Sequence, residues 1–476
     1  MIEILLNFIF ILGLGFYLIT VSQWFSYRLE RVLFHFTKPM WHINFVLIPM
    51  IVYVVLFYIN PLYFGAYLLF FIITLAIWHK KLDKKLVFTP RVKRLFLVLV
   101  LTTLFFGFIF INKAKILPVI LPLIVAFAIS YMYENFNSKL FIKTASKKLQ
   151  SMPNLTIIMI TASYGKTSIK NFAYQILDGS FKCYKTPRSV NTLMGLVKDI
   201  NENLPSDSKI YIAEAGARLR GDIEEITQFL NPSIVVVGEI GEQHIEYFKS
   251  IENIRKTKLE ALGSKNLKQA FVHTSTLKKS SEKIAIYDES LSGVNASLDG
   301  VKFSLKFLGN LEEFKAPILG KFNASNIAVC VKIAEYLGLN LSVVKDRVAH
   351  LKSVEHRLEK IENGGKIIID DSFNGNLKGM CESYDLVAKF DGRKVIITPG
   401  IVEATKEMNE ILAKKIDKVF DLVMITGELN AKILGNFIDE RKLIIIKDKS
   451  NLVQILAEKT KAGDLILFSN DAPNFI

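Results

Sequence analysis

Cysteine is nearly absent from this chain. Cys183, Cys330 and Cys381 are the only three in 476 residues, too widely spaced for a disulfide framework, and they read as small core residues in reducing cytosol. Internal repeats and low-complexity tracts are also missing, which excludes a repeat array or a long disordered tail. Acid is scarce at the front: up to Lys139 there are 13 basic and 4 acidic residues, a net +9 that leaves +6 of the total +15 for the rest. The basic excess therefore reflects membrane topology and attraction to anionic lipid, and no nucleic-acid partner is expected. Met1 to Glu3 lacks the basic start of a signal peptide.

What is abundant is apolar sequence, 51% of the chain with a positive mean hydropathy. The length suggests about three domains of ~150 residues. Five uncharged stretches, about Ile4–Trp24, Ile43–Ile59, Leu62–Trp78, Leu95–Ile111 and Ile116–Tyr133, match the ~20 residues that cross a ~30 Å hydrocarbon core. Buried core helices are the plainer alternative, but so many such runs leave too little polar surface to solvate a globular domain. Arg28, Arg31 and Lys38 follow the first run, and Lys80, Lys81, Lys84, Lys85, Arg91, Lys93 and Arg94 follow the third. Those loops are expected in the cytoplasm, which puts Asn60-Pro61, Lys113-Ala114-Lys115 and the N-terminus outside and everything after Tyr133 inside. The expectation is a multi-pass protein of the bacterial inner membrane, in contact with membrane lipid.

Beyond a Lys-rich connector at 134–150, apolar strand-like runs alternate with helical patterns, the pattern of a mostly parallel α/β domain. Thr156 to Thr161 reads as a strand buried on both faces, followed by strands at Ile210–Ala213, Ser233–Gly238, Ala270–Thr274 and Ile284–Tyr287. Lys321 to Leu337 reads as an amphipathic helix. A second series, Lys366–Ile369, Lys394–Thr398, Leu422–Ile425, Leu443–Ile446 and Leu465–Phe468, predicts a separate doubly wound domain. The expected division is 1–133, 134–150, 151–340 and 341–476.

The first strand feeds Ala162-Ser163-Tyr164-Gly165-Lys166-Thr167-Ser168 and then a helix. Backbone N–H groups of such a loop converge on one spot, the helix N-terminus adds positive potential, Lys166 can reach outer phosphates, and Thr167 or Ser168 can ligate Mg²⁺. Ile160 stands where the longer phosphate-loop pattern has its first glycine, and short GK[ST] matches are common, so context has to decide. Glu214 and His244 supply it, since both follow strands and are expected at the carboxyl edge where α/β sheets bind ligands. Arg255, Lys256 and Lys258 share a helical run whose plainer reading is a solvated basic face.

TASYGKTS, EAGARLRGDI, IGEQHIEYFKSIENIRKTKLE, GKFNASN, HRLE and IIIDDSFNGN together resemble the Mur ligases, most of all their D-alanyl-D-alanine-adding members, from Leu155 to the C-terminus. The resemblance implies a membrane region followed by a central ATPase domain and a Rossmann-like C-terminal domain. It also implies an ATP- and Mg²⁺-dependent ligase of peptidoglycan precursor synthesis, joining D-alanyl-D-alanine to a UDP-linked muramyl tripeptide. In it Ala162 to Ser168, Asn326, Arg357 and Asp371 would bind ATP, with Lys166 on the β/γ-phosphates and Asn326 at the adenine. Thr167, Glu214, His244 and a carbamylated Lys258 would hold metal, and Asn191 and Thr192 lie in the substrate loop. Ala162, Phe322 and Leu377 replace a usual glycine, histidine and proline. Membrane spans stand where soluble members carry a uridine-gripping domain.

The chemistry is acyl-phosphate formation, in which positioning and charge neutralisation carry the reaction and no residue acts as covalent nucleophile. A different amine or a lipid-linked acceptor stays open. A scaffold or transporter with a degenerate nucleotide domain is the reading from another class, against which stand the retained Lys166, Glu214 and His244.

Overall fold

A computed structural model of the chain describes residues 2–25, 27, 32, 40–82, 85–110, 116–243, 245–373, 375–401 and 405–470. These form two compact units, Met1–Leu140 and Phe141–Ile476.

The first unit is helical: α1 (Ile2–Trp24), α2 (Ile48–Ile59), α3 (Pro61–Lys80), α4 (Pro90–Ile109) and, up to Leu140, α5 (Leu117–Gln150). Among the described residues five helical segments are long and apolar enough to cross a membrane, the second being Met40–Phe57 with a π-helical turn at Ile43–Leu47. Asn60 caps α3 by accepting the Leu62 N–H at 2.9 Å, with Pro61 in the first helical position, so α2 and α3 turn sharply. Phe10, Tyr17, Tyr53, Phe64 and Phe71 fill a core, yet Leu69, Phe70, Phe105 and Phe108 are exposed, Phe108 by 81%. A helix apolar on both its packed and its outer face suits hydrocarbon rather than water. The chain's three tryptophans meet edge to face: Trp41 lies 5.9 Å from Trp24 and 5.2 Å from Trp78. Residues 134–150, expected as a connector, are helical.

The second unit holds two six-stranded sheets and a small three-stranded one. In the first sheet β1 (Thr156–Thr161), β2 (Cys183–Lys185), β3 (Ile210–Glu214), β4 (Ile234–Val237), β5 (Gln269–Val272) and β6 (Ile284–Ile286) run parallel in the order β2-β3-β1-β4-β5-β6. Alternation divides the Ile-rich β1 between two cores: Ile158 and Ile160 pack on one face, Ile157 and Met159 on the other. From β1 the chain runs to β2 at one edge, returns through β3 and then crosses to β4 on the other side of β1, so the carboxyl end of β1 lies at the topological switch point where such sheets bind ligands.

β7 (Ser292–Ser297), β8 (Gly300–Phe307) and β9 (Asn310–Ala316) form the small antiparallel sheet, whose Phe303, Leu305 and Phe314 join the first core. The second large sheet is β10 (Glu359–Asn363), β11 (Lys366–Asp371), β12 (Lys394–Thr398), β13 (Leu422–Thr426), β14 (Leu443–Ile446) and β15 (Leu465–Ser469), ordered β10-β11-β15-β12-β13-β14. All its pairs are parallel except β10 with β11, a hairpin through Gly364 and Gly365, both at positive φ as a two-residue turn of this kind requires. All nine strands read from sequence beyond β1 are present; β2, β7 to β9 and β10 are additional. Val344, Val348 and Leu351, which follow the expected boundary at 340, pack in the core of the first sheet.

Candidate active site

The loop after β1 opens helix α6 (Lys166–Leu177) at Gly165, whose φ of +77° is the left-handed region open to glycine. A Cβ there would lie 2.4 Å from Oδ1 of Asn326, so Asn326, from the helix Phe322–Tyr336, packs directly on the loop. Asn326 is itself held by its Nδ2, which donates to Oδ1 of Asn323 at 2.9 Å. Ser163 N donates to the Glu239 carbonyl at 2.8 Å and Ser163 Oγ to the Gly241 carbonyl at 3.0 Å, fastening the loop to the segment after β4. Tyr164 covers Gly241, where a Cβ would sit 2.3 Å from its ring. Ala162 is fully buried, and a Cβ added to Gly238 would lie 2.9 Å from the Ala162 Cβ. Thus the Ala162 methyl group fits because position 238 carries no side chain.

Lys166 Nζ donates to the carbonyls of Ala162 and Ser163 at 2.8 and 3.0 Å and to Oε1 of Gln243 at 3.2 Å. Burial, helped by the nearby positive charge of Arg357 and opposed by Glu214, brings its ammonium down to about 8. Gln243 was not anticipated; the only signal for it is its place in the same strand-end segment as His244. His244 itself lies outside the described residues.

Glu214, the last residue of β3 and 1% exposed, gathers the site. Its Oε2 accepts Thr167 Oγ1 at 3.0 Å and Lys170 Nζ at 3.2 Å, and its Oε1 accepts Asn191 Nδ2 at 3.0 Å. The Asn191 carbonyl also accepts Gly216 N at 2.7 Å. Thr192 is turned otherwise: its hydroxyl caps the helix Leu193–Glu202 by accepting Gly195 N at 3.3 Å.

Lys258 is not on a solvated face. In the helix Ile251–Leu259 it shares the buried stripe with Ile254 and Thr257 and is 3% exposed, whereas Lys256 points outward. Burial and the charge of Lys166 hold its ammonium well below the usual lysine range, with Asp222, Glu260 and Glu214 acting the other way. Among the described residues no three His, Cys, Asp or Glu side chains cluster as metal ligands. Glu214 and Thr167 nevertheless offer hard oxygen donors side by side, the sparse protein set that suits Mg²⁺, which completes its shell with water and substrate phosphate.

Arg357 reaches the site from the segment before β10. It stands between two left-handed residues, His356 (φ +61°) and Leu358 (φ +56°), a backbone that costs a non-glycine residue about 1–2 kcal/mol. His356 is fixed by a 2.6 Å contact from Nδ1 to Asp370 Oδ2, and Leu358 is buried. Arg357 Nη1 donates to the Phe373 carbonyl at 2.5 Å, and its guanidinium lies 5.6 Å from that ring. Burial lowers its affinity for the proton while Asp371 and Glu214 raise it, so their carboxylates lie within electrostatic reach. Asp371 is buried at the end of β11. Nearby, Lys378 pairs with Glu239 at 2.5 Å.

The sequence profile of the Mur ligase middle domain matches residues 160–334. Residues 160–334 are a Mur ligase middle domain. All of the loop from Ala162 to Ser168, with Glu214, Lys258 and Asn326, falls inside this Mur ligase domain. The chain is 27% identical over 335 residues to the UDP-N-acetylmuramoyl-tripeptide–D-alanyl-D-alanine ligase of Bacillus subtilis, covering 66% of this chain and 72% of that one. It is 27% identical over 380 residues to the protein so named from Borreliella burgdorferi, covering 73% and 78%. Among solved structures, the MurF ligase of Thermotoga maritima in complex with ADP superposes with a TM-score of 0.60 at 24% identity, over 70% of this chain and 80% of that one. The UDP-N-acetylmuramoylalanyl-D-glutamyl-2,6-diaminopimelate–D-alanyl-D-alanyl ligase from Acinetobacter baumannii gives 0.64 at 19% identity, over 70% and 76%. These two structures bear on the fold alone, a chain with two mainly parallel six-stranded α/β sheets.

Proposed function

We propose that the protein is an ATP-dependent ligase that adds D-alanyl-D-alanine to UDP-N-acetylmuramoyl-tripeptide through an acyl phosphate. The observation that carries this is Glu214, whose one carboxylate binds Thr167 of the phosphate loop and Asn191 of the substrate loop, with Lys166 alongside, in a chain whose curated relatives bear that name. A carboxylate oxygen of the tripeptide attacks the γ-phosphorus and ADP leaves. The amine nitrogen of the dipeptide then attacks the carbonyl carbon, the bond to the phosphate oxygen breaks, phosphate leaves and the amine loses a proton. Lys166 and Arg357 bring positive charge to the transferring phosphoryl group, Asn326 steadies the loop, Asp371 orients Arg357, and Asn191 faces the acceptor. Thr167, Glu214, His244 and a carbamylated Lys258 would hold Mg²⁺, which when bound neutralises phosphate charge. Thr192 supports the acceptor loop through its helix cap.

Purified protein should release phosphate from ATP only when tripeptide and D-alanyl-D-alanine are both present. Release with a different amine, or only with a lipid-linked muramyl peptide, would replace the substrate assignment while keeping the ligase; release with neither would end it.

Residues 1–133 we read as a five-span inner-membrane region, with the central and C-terminal catalytic domains in the cytoplasm. The packing of Val344, Val348 and Leu351 favours a boundary between those domains beyond Leu351 rather than at 340. Ten basic residues in the two inner loops against two in the outer ones support this orientation, as does the tryptophan cluster, which joins the three helix ends it assigns to the cytoplasmic interface. A reporter fused after Asn60 should therefore be periplasmic and one after Leu86 cytoplasmic. The opposite result would put the nucleotide site on the side without ATP.

A further inference from the structure

We propose that Lys170 is a positioning residue that ties the Thr186–Asn191 segment to the phosphate-loop helix and so keeps the acceptor loop in register with the nucleotide site. This rests on the ligase reading above for what the loop binds, though not for the tie itself. Lys170 lies one turn beyond Lys166 in α6, on the helix's buried stripe beside Ile169 and Ala173. It is 1% exposed, and lysine is almost never so buried unless paired. Its Nζ is paired twice, with Glu214 Oε2 at 3.2 Å and, closer still, with the carbonyl oxygen of Arg188.

The second partner gives Lys170 its role. The segment leaves the sheet at Thr186, where Thr186 N donates to the Ile212 carbonyl at 3.0 Å and Thr186 Oγ1 accepts Glu214 N at 3.4 Å. It returns at Asn191, tied to Glu214 Oε1 and to Gly216 N. Between those anchors the chain turns, with Val190 N donating to the Pro187 carbonyl at 3.1 Å and Arg188 in the left-handed region at φ +43°. The carbonyl of that turned residue points inward to Lys170. Glu214 thus grips both ends of the segment, and Lys170, neutralising the same carboxylate, grips its middle. A lysine serving only as counter-charge would need no bond to the strap.

Full-length Lys170→Met, Lys170→Gln and Lys170→Arg separate these roles. Without any ligand, amide exchange over 187–191 should accelerate about tenfold or more in Lys170→Met and Lys170→Gln, while β1 and β4 keep their protection. In turnover, KM for the muramyl tripeptide should rise about tenfold while KM for ATP stays within about threefold, and Lys170→Arg should recover part of the loss. Should Lys170→Met also lose protection in β1 and β4, Lys170→Gln decides. Unchanged exchange over 187–191 in Lys170→Gln overturns the proposal, as does a rise confined to KM for ATP. Wild-type protein that never turns over the UDP-linked tripeptide overturns that substrate assignment alone, since the ligand-free exchange still decides the tie.

Discussion

Lys166→Ala should lower ligation by about 100- to 1,000-fold, the usual effect of removing one preorganised charge from a developing transition state, and leave the fold intact. Among the described residues its Nζ bonds only to two loop carbonyls and to Gln243, so the substitution strands no partner charge there. The folded-state value of about 8 lies below the ordinary 10.5. The charged side chain therefore costs stability in full below about pH 8, and the cost fades as pH rises toward 10.5. At neutral pH the nucleotide-free variant should melt at the same temperature as wild type or slightly higher. Near-normal phosphate release by Lys166→Ala would refute the assignment, and a large fall in melting temperature would make the lysine structural.

Lys258 should tolerate neither alanine nor arginine. A buried amine whose proton is held loosely spends more of its time as the free base, the form that adds CO₂: the nitrogen bonds to carbon, a proton is released, and a carbamate anion forms. The product would be a carboxylate-like oxygen donor within electrostatic reach of Glu214, where a hard cation is expected. Lys258→Ala should therefore lose about 100-fold or more, in the range of other electrostatic deletions, and Lys258→Arg should do no better because a guanidinium cannot take this form. Acetate or propionate added to Lys258→Ala should restore part of the activity by filling the vacated site. Wild-type turnover by Lys258→Arg would show that the position acts as a positive charge or not at all.

Much of this was legible in the sequence, for physical reasons that differ by element. β1 is an unbroken apolar run because helices cover both its faces, and the same burial marks β4, β13 and β15. β8 shows the alternation of a half-buried strand in Val301, Phe303, Leu305 and Phe307, and the Asn-Gly-Gly turn announces the β10–β11 hairpin; both signals were present and unread. Lys258 and Lys170 were harder. Each is a lysine inside an apolar helical stripe, and periodicity alone treats such a residue as a blemish on the pattern rather than as a buried charge. Arg357 was harder still, because His356 and Leu358 take left-handed backbone with no glycine to mark it. Thr192 shows the reverse case: a polar residue beside the site whose hydroxyl is spent on a helix end.

The contact between Ala162 and Gly238 bears on how this loop can change by descent. The two positions, 76 residues apart in sequence, share space for about one methyl group, so a change at either alters what the other can hold. With glycine at 162 a Cβ at 238 would still meet Ile169 Cδ1 at 3.3 Å, a flexible end that can give, whereas beside Ala162 it meets a second methyl group at 2.9 Å. Ala162→Gly removes that contact, while Gly238→Ala forces a shift as long as Ala162 is present. The two positions are therefore coupled: alanine at 238 should cost more beside Ala162 than beside glycine.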